Sequence, residues 1–135
     1  MEVILLVGAP GSGKSTYCST HLKDYLRINQ DDQGKVGHWD IYLKALQEKT
    51  PKIVIDRMNH LRAQREKFLS QATSNGYLIK IIQFKVSYDI CFERILERKN
   101  HPTILDADIG RIALCNFFKY FEEINPNEAN EIIEV

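Results

Sequence analysis

Val3 to Val7 is an unbroken apolar run, the pattern of a strand buried on both faces. A glycine-rich turn follows, and a helix is predicted from about Lys14 to Leu22. Tyr25 to Asn29 alternates apolar and polar side chains, which predicts a short second strand with Leu26 and Ile28 inward. Val36, Trp39, Leu43 and Leu46 recur at helical spacing and predict a helix over roughly 35–48, closed by Pro51. Ile53-Val54-Ile55 reads as a third buried strand ending at Asp56. Asn59 is the expected N-cap of a helix running to about Ser74. Asn75-Gly76 stops it, because glycine takes the left-handed conformation freely. Tyr77 to Val86 predicts a fourth strand. Ser87 or Asp89 caps the next helix, which runs to about Lys99 and is ended by Pro102. A further helix is expected from Asp106 to about Glu123, then a turn at Asn125-Pro126-Asn127 and a short last strand over Ile132–Val135.

Strands alternating with helices imply an α/β fold: about five strands, mainly parallel, with helices on both faces. The 135 residues suit one domain, 1–135. Composition is that of a globular chain, 44% hydrophobic and 27% charged, which argues against disorder. No apolar run nears the ~18 residues of a membrane span, so no membrane partner is expected. The amino terminus runs straight into the glycine-rich turn without a basic segment, so no secretory leader is expected. Cys18, Cys91 and Cys115 are odd in number and lack CxxC spacing. They suit a reducing, cytoplasmic setting better than a disulfide framework or a zinc site.

Charge changes the picture modestly. Lys plus Arg and Asp plus Glu are 18 each. All basic residues precede Tyr120, while Glu122, Glu123, Glu128, Glu131 and Glu134 follow it. Residues 1–121 therefore hold 18 basic and 13 acidic side chains, a local excess that suits anionic ligands.

The chemistry is densest in Gly8-Ala9-Pro10-Gly11-Ser12-Gly13-Lys14-Ser15-Thr16. It satisfies G-x-x-x-x-G-K-[ST] in full, after a predicted strand and at the start of a predicted helix. Such a loop, the P-loop, turns successive N–H groups toward phosphate oxygens, and the helix amino terminus adds partial positive charge. Lys14 would reach the β and γ phosphates of a nucleoside triphosphate, and the Ser15 hydroxyl would bind Mg²⁺.

The acceptor must be sought elsewhere. Asn29-Gln30-Asp31-Asp32 closes the second strand, at the sheet edge where open α/β folds bind ligands. A carboxylate there either takes a proton from an attacking hydroxyl or caps the next helix. Asp56 either holds the water shell of Mg²⁺ and orients the acceptor or is simply a polar residue leaving a strand. Arg57, His60, Arg62, Arg65 and Lys67 form either a phosphate grip or a solvated basic face. Arg94 and Arg98 share one helix face, where like charges repel, and an anionic ligand would compensate both. They precede Lys99-Asn100-His101-Pro102-Thr103, which reads as a lid over roughly 99–106. Trp39 fits the core better than a base-stacking platform.

These motifs, in this order, resemble the 5′-OH polynucleotide kinases. Ile28-Asn29-Gln30-Asp31-Asp32, Asp56-Arg57-Met58-Asn59-His60 and Arg94-x-x-x-Arg98 are similar to elements of the phage end-healing kinase. Asp56-Arg57-x-Asn59-His60 and Arg98-x-Asn100-His101 are closer to the kinase domain of fungal-type tRNA ligases. The resemblance spans residues 3 to about 104, with Asn130–Val135 resembling the closing strand. It implies a P-loop kinase fold with a small lid. It also implies that Asp31 is the general base, Asp56 the second carboxylate acting on Mg²⁺ through water, and Arg98, beside Arg94, the arginine on the transferring phosphate. Where the phage enzyme has an arginine three residues past the base, this chain has Gly34 and then Lys35.

The expectation is a Mg²⁺-dependent kinase moving the γ-phosphate of ATP or GTP to the 5′-OH end of RNA or DNA. The donor contacts would be the P-loop, Arg98 and His101, with a slight lean to GTP. Asp31, Lys35, Arg57, Arg62 and Arg65 would form the acceptor side. Ligase or phosphatase partners would be separate proteins. A small-molecule P-loop kinase and a non-catalytic nucleotide-binding protein are the alternatives.

Overall fold

A computed structural model describes residues 1–97 and 104–135, with residues 104–107 described in their backbone only. Five strands form one sheet in the order β2-β3-β1-β4-β5: β1 Glu2–Val7, β2 Leu26–Ile28, β3 Lys52–Ile55, β4 Leu78–Gln83 and β5 Glu131–Glu134. Every pairing is parallel. The helices are α1 Lys14–His21, α2 Gln30–Gln33, α3 Lys35–Gln47, α4 Arg62–Ser74, α5 Tyr88–Glu97 and α6 Ile104–Tyr120, with a 3₁₀ turn at Pro126–Glu128.

Side chains alternate across a strand, and β1 divides its apolar run accordingly. Val3, Leu5 and Val7 join Ile53, Ile55 and Ile81 under α3 and α4, where Tyr42, Leu46, Phe68 and Ala72 complete the layer. Ile4 and Leu6 turn the other way and meet Val54, Ile82, Cys18 and Leu22 beneath α1. A third cluster of Ala9, Cys91, Ile95, Leu114 and Phe117 packs α5 and α6 against the chain leaving β1. The β1 neighbours are β3 and β4, so the chain switches direction across the sheet beside the carboxyl end of β1, the expected place for a ligand crevice.

Several expectations need correction. Leu26 is 36% exposed, because β2 is the sheet edge and only Ile28 is covered. Asn29-Gln30-Asp31-Asp32 does not lead straight into α3. It forms the separate turn α2, which ends at Gly34 with φ 85°. Val36 is 72% exposed, so the apolar face of α3 runs instead through Tyr42, Ala45 and Leu46. Asn59 does not cap α4, whose N-cap is Leu61. Residues 104–106, assigned to the lid, belong to α6. The rest of that segment, with Arg98, Lys99, Asn100 and His101, lies outside the described residues.

Candidate functional site

A cleft of about 780 Å³ opens at the carboxyl ends of β1, β2 and β3. The P-loop supplies its floor through Gly11, Gly13, Lys14, Ser15 and Thr16. Gly11 and Gly13 hold φ of 79° and 99°, a left-handed backbone that side chains disfavour. A Cβ on Gly11 would also lie 2.7 Å from the Cys91 carbonyl, so the loop is wedged against α5. Lys14 Nζ donates to the Ala9 carbonyl at 2.8 Å, folding the side chain back over the loop. Arg94 on α5 reaches the same loop and donates to the Gly11 carbonyl at 3.2 Å.

The β2 end supplies Asp31, exposed and facing the cleft. Asn29 fixes that end. Its Oδ1 accepts from Asp32 N at 3.0 Å, and its Nδ2 donates to the Asp56 carbonyl at 2.8 Å. Asp56 itself is 2% exposed. Its Oδ2 accepts from the Ser15 hydroxyl at 3.1 Å and from Arg27 Nε at 2.7 Å. Arg27 continues to Asp32 at 2.5 Å. Burial opposes the Arg27 charge, but the hydrogen bonds and charges of Asp56 and Asp32 outweigh it and hold the guanidinium protonated beyond its usual range. The same network touches α1: burial first, then the Asp56 charge, pushes the Cys18 thiol up to about 11.

The oxygens of Ser15 and Asp56 meet at the mouth of the P-loop with a guanidinium already lodged against both. Hard oxygen donors on a cation-holding spot, with room for water and phosphate, fit Mg²⁺.

The segment after β3 forms the opposite wall. Gly8 N donates to the Met58 carbonyl at 3.1 Å. Asn59, at φ 51°, donates from Nδ2 to the Leu6 carbonyl at 2.7 Å. Its buried Oδ1, like His60 Nδ1 and the P-loop Ser12 Oγ, has no partner among the described residues. Asn59 and His60 line the cleft, so these are polar atoms available to a ligand. Arg57 is half-buried. Its guanidinium lies 5.7 Å from the Phe68 ring centre and 3.4 Å from His38 Nε2. His38 Nδ1 contacts the Gly34 carbonyl at 2.9 Å. That contact assigns the proton to Nδ1 and leaves Nε2 to accept from Arg57. Burial lowers the Arg57 pKa, and the Asp31 charge works against that loss.

The structure thus gathers Lys14, Ser15, Asp31, Asp56 and Arg57 around one cleft and sets Arg94 against its loop. Gly8, Ala9 and Ser12 of the loop are not among the residues lining the cleft, and Lys35 lines a neighbouring groove. Arg65 is a correction. Arg65 is fully buried and bonds Glu128, the Asn59 carbonyl and the carbonyls of Glu122 and Glu123. Arg62 donates from Nε to the Glu123 carbonyl and from its backbone N to Glu122. Arg65 clamps the carboxyl-terminal segment rather than facing an acceptor, while Arg62 is exposed and touches the same segment. Arg27 and Asn59, absent from the expected site, are in it. The available signal for Arg27 was a charge inside a strand, which needs a partner when covered.

The model of a family described as AAA domain matches residues 37–114, more than half of the chain. The bHLH140 transcription factor of Arabidopsis thaliana is 32% identical over 120 residues, which is 82% of this chain and 13% of that protein. A fungal RNA kinase crystal structure superposes with TM-score 0.75 at 18% identity, over 99% of this chain and 38% of that one. A gluconokinase from Sinorhizobium meliloti superposes with TM-score 0.63 at 16% identity, over 99% and 81%. The chain spans well under half of the bHLH140 protein and of the RNA kinase chain. Among the described residues no helix is long and apolar enough to cross a membrane. With a five-stranded parallel sheet, a complete P-loop and this match, the chain belongs to the AAA domain family and carries a P-loop kinase fold.

Proposed function

We propose that this chain transfers the γ-phosphoryl group of a nucleoside triphosphate to the 5′-OH end of RNA or DNA. The observation that carries the reading is the pairing, in one cleft, of a P-loop with an exposed carboxylate, Asp31, at the neighbouring strand end. A protein that only binds nucleotide has no use for that carboxylate. Lys14 and the loop N–H groups hold the β and γ phosphates. Ser15, and Asp56 through water, would hold Mg²⁺, which screens charge on the transferring group. Asp31 accepts the proton of the attacking hydroxyl as the new O–P bond forms. The bond to the bridging β–γ oxygen breaks, and the nucleoside diphosphate leaves. Arg94 and Arg98 neutralise charge gathering on the phosphoryl oxygens. Lys35 and Arg57 take the acceptor side, and His101 with Asn100 would favour a guanine donor. Similarity to an RNA kinase fold and the motif resemblance support the acceptor class, and residues 1–135 act as one kinase domain.

The test is phosphoryl transfer from labelled γ-phosphate to a panel of acceptors: 5′-OH oligonucleotide, dinucleotide, nucleoside 3′-phosphate, nucleoside and sugar. The oligonucleotide and dinucleotide are expected to lead. Equal use of a sugar or bare nucleoside would establish a small-molecule kinase instead. Asp31→Asn should retain donor binding and lose roughly 10²–10⁴-fold in turnover. Normal turnover in that variant removes Asp31 from the chemistry.

A further inference from the structure

A second groove of about 420 Å³ adjoins the cleft. The two share Gln30, Arg57 and Gln64 in their walls, so a chain leaving the cleft past Asp31 enters it directly. Lys35, His38, Trp39 and Lys67 are the other polar and aromatic groups facing it. Among the described residues three cations and no carboxylate line this groove, in a protein whose formal net charge is zero. Trp39 is half-buried. It packs on Tyr42 and Phe68, with ring centres 5.7 and 5.2 Å away. Over its indole sits Lys67 Nζ, 4.5 Å from the ring centre. An aromatic ring held by core rings and covered by a flexible ammonium suits a stacking partner that brings its own negative charge. A nucleotide offers both: the base takes the lysine's place on the ring, and the freed ammonium pairs with the phosphate.

We infer that the groove of Trp39, Lys67 and Lys35 is a nucleic-acid subsite, seating the nucleotide next to the reacting 5′ end, with its base on Trp39 and its phosphate between the lysines and Arg57. The inference rests on the polynucleotide reading and gives it a backbone grip that Arg65, consumed by the fold, does not supply. Trp39 packs against the core, as the sequence suggests, and also lines the groove.

Trp39 is the only tryptophan in the chain, so indole emission reports on this groove without any turnover. A 5′-OH dinucleotide or hexanucleotide is expected to change the emission saturably, and a nucleoside 3′-phosphate, which lacks the second base, to leave it nearly unchanged. Trp39→Ala should raise acceptor KM roughly 5- to 150-fold, the range of one lost stacking contact, with kcat and donor KM unaltered. Lys67→Gln leaves the packed side of the indole in place. It should lower the slope of log affinity against log salt by about one, and Lys35→Gln with it by about two. Oligonucleotide phosphorylation with unchanged emission and unchanged KM in Lys67→Gln overturns the subsite and leaves the kinase reading standing. An emission change without phosphorylation supports the subsite and overturns the kinase reading. Neither signal overturns both. Equal emission changes with the nucleoside 3′-phosphate and the dinucleotide also overturn the subsite, since no second base would then be needed.

Discussion

Arg62 and Arg65 on α4 and Arg27 and Arg57 at the ends of β2 and β3 carry the same guanidinium into different surroundings. At α4 the counter-groups are carbonyls and Glu128 of the carboxyl-terminal segment, and Arg65 has no exposed surface. At the strand ends the counter-groups are Asp56, Asp32 and His38, and Arg27 keeps 35% of its side chain in solvent. In the first group Arg65 is saturated with fixed acceptors inside the protein. The second borders a cleft, and its acceptors are groups that an incoming anion or cation can replace. Burial and the permanence of the partner, rather than the arginine itself, separate a clamp from a site.

The sharpest way to break this contrast is Arg65→Ala. Removing one member of a buried charged network leaves Glu128 and three carbonyls short of donors, a loss of about 3–5 kcal/mol. Urea unfolding is expected to show that loss, while the salt dependence of acceptor KM stays as in the parent. A changed salt slope with unchanged stability would return Arg65 to the acceptor site. Arg27→Gln comes next. Asp56 keeps its Ser15 hydrogen bond and loses the charged ones, which are worth about 1.5–3 kcal/mol each when covered and less at a half-open site. The unfolding midpoint should fall by less than in Arg65→Ala. Added Mg²⁺ should recover more of it in the variant than in the parent, because a second cation then meets an uncompensated carboxylate.

Those two residues also mark where the sequence stops being readable. The strands, the parallel sheet and the P-loop follow from local pattern: an apolar run, a glycine spacing and a helix start. Asp31 and Asp56 were legible because strand ends in such a sheet point at the ligand crevice. Arg65 was not. Its i, i+3 spacing from Arg62 describes a basic face of α4, and only the return of residues 122–128 across that helix buries Arg65. Asn59 misled for a related reason. Its residue type suits a helix cap, but a long-range hydrogen bond to Leu6 holds it at positive φ inside the cleft. Trp39 carried both meanings, and only the position of Lys67 and the groove beside it shows that the ring, packed on the core, also borders open space.

A smaller effect should separate the two regions by thiol chemistry. Cys18 lies beside the Asp56 network, and its thiol is pushed up to about 11. Cys115 is exposed. The thiolate is the reacting form, so a maleimide at neutral pH is expected to label Cys115 first and Cys18 only on unfolding. In Arg27→Gln, Cys18 should become slower still, since the Arg27 charge and hydrogen bond both favour the thiolate. Faster labelling of Cys18 in that variant would mean that the strand-end network opens when its arginine is lost, and that the region is held by a clamp after all.

His60 stands between the two regions and feels both. Burial lowers its pKa, and the charges of Arg57 from the cleft and Arg65 from the clamp lower it further, with Glu122 opposing. The folded value therefore lies below the unfolded value of about 6.5. Above that value both states are neutral and His60 contributes nothing to pH dependence. As the pH falls through 6.5 the unfolded chain takes up a proton that the folded chain refuses, so stability is lost on acidification and regained on raising the pH. His60→Gln should remove this part of the slope between pH 7.5 and 5.5, read as the difference between the two unfolding midpoints at each pH. Arg57→Gln should shrink the slope without abolishing it, because burial is the larger cause and Arg65 remains. A slope that vanishes with Arg57→Gln alone would show that the cleft arginine, rather than the apolar packing against Phe117, governs the histidine.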